Sequence, residues 1–380
     1  MIYLDNAASS PIYTEIIEDY VDALRYDYGN PSSIHSLGKN ANSIMEHERE
    51  IIAKYIGAKP NEIIFTSGGS ESDNLALRGM VPYLKENGKT TIITSKIEHH
   101  AVLHTCADLE QLGIQTLYLS VHSDGRIDIE ELDELLQEHR DTVGLVSIMA
   151  VNNEIGTIQL LDDIGDLCKE YGVIFMTDAV QAFGHIPIDV NKSHIDLMAV
   201  SGHKINVPKG IGFLYARDDI LLNSEITGGS QEKNLRAGTE NVPGIVALGE
   251  RVKCLTVNDP LEPHYRKCRA VFLDALKESD LEYYINCDNG VPNIISLTIP
   301  HCESEAMLLL LNENGIYVSA RSACTAGMLE PSHVLKAIGL SDNDASCTIR
   351  ISMGYQNTVY DLERCADVII YSAKKLKEMM

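Results

Sequence analysis

The stretch Ile195-Asp196-Leu197-Met198-Ala199-Val200-Ser201-Gly202-His203-Lys204 reads as a buried strand that ends in a glycine turn and a lysine. Upstream, Phe175-Met176-Thr177-Asp178-Ala179-Val180-Gln181 has the same form, an apolar strand ending in a carboxylate. Short apolar runs of this kind fit strands of a parallel sheet covered on both faces by helices. Such sheets gather ligands at the carboxyl ends of their strands, so Lys204 and Asp178 are expected to face one crevice. An amine and a carboxylate so placed are the pair that holds pyridoxal phosphate. The lysine forms an imine with the aldehyde, and the carboxylate keeps the pyridine nitrogen protonated so that the ring can accept electrons. The plain alternative for Lys204 is a solvated surface side chain. It fits poorly with the apolar strand before it and the enclosing Gly202 and Pro208-Lys209-Gly210 turn.

Around this pair, apolar runs alternate with amphipathic stretches from about residue 60 to 215, the pattern of an α/β fold with a mainly parallel central sheet flanked by helices. Strands are expected at residues 62–66, 91–95, 115–119, 143–149, 173–177, 197–201 and 212–216. Helices are expected at 36–56, 71–86, 100–111, 129–138 and 161–170, bounded by Gly, Pro or Asx signals. After Gly244-Ile245-Val246-Ala247-Leu248-Gly249 a long helical pattern leads into a last third with strand-like runs at 293–299 and 349–353 and a terminal helix. The expected organisation is a large cofactor-binding domain over 14–255 and a smaller α+β domain built from 1–13 and 256–380.

A chain of 380 residues has room for a sizeable core and two domains. The formal charge of −24 opposes affinity for phosphate backbones and anionic membranes, so no direct nucleic-acid or membrane partner is expected. Met1-Ile2-Tyr3-Leu4-Asp5-Asn6 lacks the basic and apolar regions of a signal peptide, and a cytoplasmic protein is the expectation. The 9 cysteines are scattered without a C-x-x-C pair, which indicates neither a disulfide framework nor a four-thiolate zinc site.

Other motifs point at the same crevice. Thr66-Ser67-Gly68-Gly69-Ser70-Glu71-Ser72 is a glycine turn between strand and helix. The amides at Gly69 and the helix N-terminus, with the Ser70 hydroxyl, would cradle a dianionic phosphate. The alternative is a capped helix start in which Glu71 and Asp73 complement the dipole. In Glu98-His99-His100-Ala101-Val102 the imidazole of His99 can stack on a pyridine ring and move protons, or simply cap a helix. His100 and His104 have the separation of a zinc pair, but no third ligand follows at motif spacing, so no metal is expected. In Val151-Asn152-Asn153-Glu154-Ile155-Gly156 the amide of Asn152 can bind a ring oxygen or a substrate carboxylate without adding charge; otherwise it belongs to a polar turn. Asp178 and Gln181 lie one turn apart, Asp178 aimed at the ring nitrogen and Gln181 at the ring oxygen. Ser201 and His203 flank Lys204 closely enough to reach the phosphate or the imine.

Together with Tyr3-Leu4-Asp5-Asn6-Ala7-Ala8 and Gly29-Asn30-Pro31-Ser32-Ser33, this ordered set resembles the cysteine desulfurases of the NifS and IscS kind over essentially the whole chain. These are class V aminotransferase-like enzymes of pyridoxal phosphate fold type I. The resemblance implies that Lys204 carries the cofactor, that Asp178 and Gln181 hold its ring with His99 stacked on it, and that Ser70, Ser201 and His203 bind its phosphate. Thr239, in Arg236-Ala237-Gly238-Thr239, matches the threonine that reaches the phosphate of a partner subunit, which implies a homodimer. Ser322-Ala323-Cys324-Thr325-Ala326-Gly327 matches the loop whose cysteine takes sulfur from the substrate. L-cysteine would become L-alanine, with a persulfide on Cys324 for transfer to an acceptor protein, an iron–sulfur scaffold or a thiolation enzyme. Arg350, in Thr348-Ile349-Arg350-Ile351-Ser352, would clamp the substrate carboxylate; an ordinary ion pair is the alternative. The rival activity, a class V aminotransferase or a β-lyase (a selenocysteine lyase included) on a related amino acid, differs in leaving Cys324 idle. Val207, Arg321 and Tyr355-Gln356 depart from the family pattern, where glycine, glycine and a nearby arginine are usual.

Overall fold

The computed structural model describes residues 1–257, 261–320 and 331–378. Its first strand, β1 (Ile2–Tyr3), lies away from the central sheet, which is built from β2 (Ile63–Thr66), β3 (Thr91–Ser95), β4 (Gln115–Leu119), β5 (Val143–Ser147), β6 (Ile174–Asp178), β7 (Leu197–Ser201) and β8 (Gly212–Ala216). The strand order is β2-β8-β7-β6-β5-β3-β4. β8 runs antiparallel to both neighbours, and every other pairing is parallel. The expected mainly parallel α/β sheet is therefore what forms.

β2, β3, β5, β7 and β8 are buried at every residue, which is why their sequences are continuous apolar runs without alternation. Helix Ser36–Ile56 covers one face through Ile52 and Ile56, and helix Gly69–Glu86 covers the other through Leu75, Leu77 and Met80. The second helix starts two residues earlier than the sequence indicates. Gly68, at φ +153°, turns the chain directly out of β2 and leaves Gly69 and Ser70 in the first helical turn.

The last third forms a second apolar cluster. β9 (Tyr284–Ile285), β10 (Ile294–Thr298), β11 (Ile316–Tyr317) and β12 (Thr348–Ser352) follow in the chain. β12, β10 and β9 make an antiparallel sheet in that order, and β11 pairs in parallel with β1. Phe272, Leu297, Ile351 and Ile369 centre this cluster, and Ile2 and Leu4 from the N-terminus complete it. The N-terminal segment is pinned there by polar contacts as well: Asn6 Nδ2 donates to Ser352 O at 2.9 Å, and Ala7 N donates to Ser352 Oγ at 2.9 Å.

No helix among the described residues is long and apolar enough to cross a membrane. The described cysteines are free thiols. Burial pushes Cys106 up to about 12 and raises Cys168 and Cys365 as well, so these three behave as small apolar side chains.

Helix Val242–Val257 packs along Ser36–Ile56 at a close approach, where a Cβ on Gly249 would meet Glu48 Cβ at 2.8 Å. Glu48 is sealed beneath it. Burial raises its pKa to about 7; Lys253 pulls it down, and Glu250 and Asp19 push it further up. Because the folded value lies above the ordinary one, the folded state holds this proton more tightly. The stabilisation is complete below about pH 4.5 and lost as pH rises through 7. Glu48→Gln, permanently neutral, is expected to match the parent near pH 4.5 and to exceed it at pH 8 by about 1–2 kcal/mol in denaturant unfolding. An equal difference at both pH values would contradict this account of Glu48.

Candidate active site

The order of the sheet reverses between β3 and β5: β4 lies on one side, β6 and β7 on the other. At such a point the connections diverge and leave a crevice beyond the carboxyl ends of the strands. Two buried side chains join its edges. Glu98 Oε1 accepts from Ser95 Oγ at 2.6 Å and from Met149 N at 3.0 Å, tying the end of β3 to the end of β5. Asn152 Nδ2 donates to Ile97 O at 2.9 Å across the same gap. A cavity of about 270 Å³ opens here, lined by Asp178, Ser201, Lys204, His99, Ser70 and Arg350 among others.

Lys204 ends the short helical turn Gly202–Lys204 that follows β7. Its Nζ donates to Ala7 O at 2.5 Å and Ala8 O at 3.0 Å. Gln181 Nε2 donates to the same Ala7 O at 2.9 Å, so the N-terminal segment forms one wall of the site. Asp178, the last residue of β6, is 4 % exposed and accepts from Val180 N at 2.8 Å. Burial raises its pKa, while His99, the Val180 amide and Lys204 favour its ionised form.

A second acid lies beside it. Asp73 is 1 % exposed, lines the cavity, and has an Oδ1 with no partner among the described residues. Ligand atoms of Asp73, His99 and Asp178 all lie within 4.8 Å of one another. Burial, then the charges of Asp178 and Glu98, lift Asp73 well above the carboxylate range. Two carboxylates so close do not both ionise. Asp178, favoured by His99, the Val180 amide and Lys204, is the member that carries charge, and Asp73 keeps the proton. Glu98 is also lifted, by burial, to about 8.

His99 caps helix His100–Glu110, its Nδ1 accepting from Ala101 N at 3.1 Å. The imidazole also lines the cavity. Gly69, also in the lining, lies against Val180, two residues past β6, and Ser201, the last residue of β7: a Cβ there would meet Val180 Cγ2 at 2.5 Å and Ser201 Cβ at 3.6 Å. Only glycine fits, and the first-turn amides of helix Gly69–Glu86 are left beside Ser70, Ser201 and His203. Burial lowers His203 to about 4, with Lys204 and Lys209 adding to the effect. A carboxylate, a helix N-terminus with hydroxyls and an amine around one cavity fit the charges and functional groups of pyridoxal phosphate.

Arg350 in β12 is 3 % exposed, with Nη1 donating to Asn153 O at 2.8 Å and Nη2 paired with Asp5 Oδ1 at 2.9 Å. It faces the cavity with a guanidinium already shared with Asp5, and a substrate carboxylate would join that arrangement. Cys324 and Arg321 lie outside the described residues. Thr239 is exposed and does not line the cavity of its own chain.

One expectation requires correction. Asn152 does not reach the cavity: its Oδ1 accepts from Glu154 N and Ile155 N and its Nδ2 is used on Ile97 O, so the amide is consumed in closing the turn. Its neighbour Asn153 lines the cavity instead. Of the two acids that the alternative reading gave to the helix dipole, Asp73 faces inward, and Glu71 pairs with Arg236 at 2.9 Å. Beside His100 and His104 the fold brings a third imidazole, His333, 4.7 Å from His100 between ring centroids, which no local spacing announced. Of the departures, Val207 fills the space over Gly202, where a Cβ would meet it at 3.1 Å, while Tyr355 packs edge-on to Tyr13 at 4.7 Å and Gln356 bonds Asn6 at 3.0 Å.

The class-V aminotransferase family model, Aminotransferase class-V, matches residues 2–365. The protein named Cysteine desulfurase IscS from Methanosarcina thermophila is 44 % identical over 383 residues, covering 100 % of this chain and 93 % of its own. A solved NifS-like protein superposes with a TM-score of 0.88 at 36 % identity, covering 100 % of this chain and 98 % of its own. A structure of SspA in complex with cysteine superposes with a TM-score of 0.83 at 38 % identity, covering 93 % of this chain and 99 % of its own. The chain belongs to the class-V aminotransferase family and, within it, to the cysteine desulfurases, enzymes that work with pyridoxal phosphate.

Proposed function

We propose that this protein converts L-cysteine to L-alanine and stores the removed sulfur as a persulfide on Cys324, for delivery to an acceptor protein. The observation that carries the reading is the convergence of Lys204, Asp178 and the Gly69 helix start on one cavity at the sheet's reversal point. A relative solved with cysteine supports the choice of substrate.

Bound at Lys204, pyridoxal phosphate supplies an electron sink for the pair released when the substrate loses its α-proton. The residues do the rest. Asp178 holds its negative charge at the ring-nitrogen end, and protonated Asp73 beside it adds no competing charge. Ser70, Ser201, His203 and the helix amides bind the phosphate, and Gln181 holds the ring oxygen. Lys204 Nζ, held against Ala7 O and Ala8 O, is placed to take and return the substrate proton. His99 offers its imidazole as a second proton carrier. Arg350 and Asn153 orient the substrate carboxylate. The Cys324 thiolate attacks substrate Sγ: an S–S bond forms, the Cβ–Sγ bond breaks, and its electron pair ends with a proton as the methyl group of alanine. We further propose a cytoplasmic homodimer in which Thr239 completes the phosphate site of the partner, and a large domain over 14–255 with the remainder as the smaller one.

Borohydride reduction of the holoprotein is expected to fix the cofactor mass on the Lys204 peptide alone. Brief exposure to L-cysteine is expected to add one sulfur atom to the Cys324 peptide by mass spectrometry. Cys324→Ala should keep the visible cofactor band and lose persulfide and alanine formation; full turnover by that variant with reductant would establish a lyase instead. The division of charge between the two aspartates is tested by paired variants. Asp178→Asn should lower kcat by about 10²-fold or more, while Asp73→Asn, replacing a neutral carboxyl with a neutral amide, should change it only a few-fold. Comparable losses in both would show that Asp73 is ionised.

A further inference from the structure

Behind the lysine turn lies a second cavity of about 330 Å³, where the C-terminal ends of helices Ser36–Ile56 and Val242–Val257 meet the 184–188 turn and the start of helix Glu262–Lys277. Its walls are largely apolar and aromatic, with Tyr13, Tyr55, Tyr265, Leu255 and Ile186 around Arg251. Arg251 is 4 % exposed. Its Nε donates to Ile205 O at 2.9 Å, and its guanidinium lies over the Tyr13 ring, 4.3 Å from the centroid. Neither contact supplies a negative charge. Among the described residues the two terminal nitrogens have no hydrogen-bond partner and no paired carboxylate, and burial pushes the pKa of Arg251 down. The hydroxyls of Tyr13, Tyr55 and Tyr265 likewise make no hydrogen bond with a described residue.

The other ionisable groups of the lining do not answer this charge: the Cys254 thiol is directed at Glu15 Oε2, 4.0 Å away, and burial raises its pKa. Glu262 at the rim is engaged by Arg266, at 2.8 and 2.5 Å. His185 is hydrogen-bonded to the Lys204 main chain, and burial lowers it to about 4, which leaves it neutral. A buried cation with two open donors, ringed by unpaired phenols and apolar side chains, is complementary to a compact anion with an apolar body.

We propose that this cavity binds a small organic monocarboxylate with an aryl or branched-alkyl body, its carboxylate on the Arg251 terminal nitrogens and its body against Tyr55, Leu255 and Ile186. Guanidinium geometry matches a carboxylate in bidentate fashion. The volume lies near the lower end of the ~300–1,000 Å³ of small-molecule sites, so the occupant is a small molecule rather than a chain segment. Inorganic phosphate would use the charge and leave the apolar walls wet. Arg251 itself is one hydrogen bond, to Ile205 O, from the lysine turn, yet binding of the occupant does not depend on the chemistry proposed for Lys204.

The test titrates the holoprotein with benzoate, benzyl alcohol and inorganic phosphate by calorimetry. Benzoate should fill one site per chain, with benzyl alcohol and phosphate each weaker by at least roughly tenfold. Arg251→Met should lose roughly tenfold or more in benzoate affinity. Leu255→Trp, which keeps the arginine and fills the cavity, should lose benzoate binding too, whereas Arg350→Met should retain it. If Arg251→Met fails to fold, judged by loss of its cofactor band, Leu255→Trp decides. The proposal is overturned by absence of benzoate binding, by unchanged binding in a folded Arg251→Met or in Leu255→Trp, by phosphate or benzyl alcohol binding as tightly as benzoate, or by loss of binding in Arg350→Met, which would move the ligand to the first cavity.

Discussion

Where the central sheet reverses its order, two strand ends have to be joined by something other than backbone pairing, and the carboxyl of Glu98 does this. It takes the Ser95 hydroxyl from one edge and the Met149 amide from the other, and Asn152 repeats the clip through Ile97 O. A charged group so deeply buried would be costly without an opposite charge. With its pKa raised to about 8, Glu98 instead fastens the crevice as a neutral acid and adds no field to it at neutral pH.

The same economy governs the site as a whole. Three acids, Asp73, Glu98 and Asp178, lie together under a chain of formal charge −24, and only one of them is asked to ionise. Desolvation acts on all three. What separates them is neighbours: Asp178 has Lys204, His99 and the Val180 amide in its favour, whereas Asp73 faces Asp178 and Glu98. A single negative charge is thereby kept in the cavity where a protonated ring nitrogen needs it. Neutral carboxyls around it supply shape without rivalry.

The sheet was legible in the sequence because strands buried on both faces leave unbroken apolar runs, and β3, β5, β6 and β7 each end in a polar residue on the crevice side. Lys204, Asp178 and Gln181 were readable for that reason: strand direction alone carries them to one side. Turns were harder. Asn152 and Asn153 are chemically identical neighbours, and only the bonds Asn152 makes to Glu154 and Ile155 decide which of them faces inward. Asp73 looked like an acid serving a helix end; the two-residue difference in where that helix begins, together with helical phase, turns it to the interior. His333 stands beside His100 through a contact between segments remote in sequence, which local spacing cannot anticipate.

The pairing of Ile2 with Ile316, and the use of Ala7 and Ala8 to hold Lys204, bind the beginning of the polypeptide to parts made much later. Ala7 and Ala8 are made long before β11 and β12, so the wall formed by these alanines cannot be seated until those strands have emerged. Through most of translation the nascent large sheet therefore exists with its lysine exposed and one side of the crevice missing. Capture of the vitamin-derived coenzyme in its final setting consequently follows the emergence of β12.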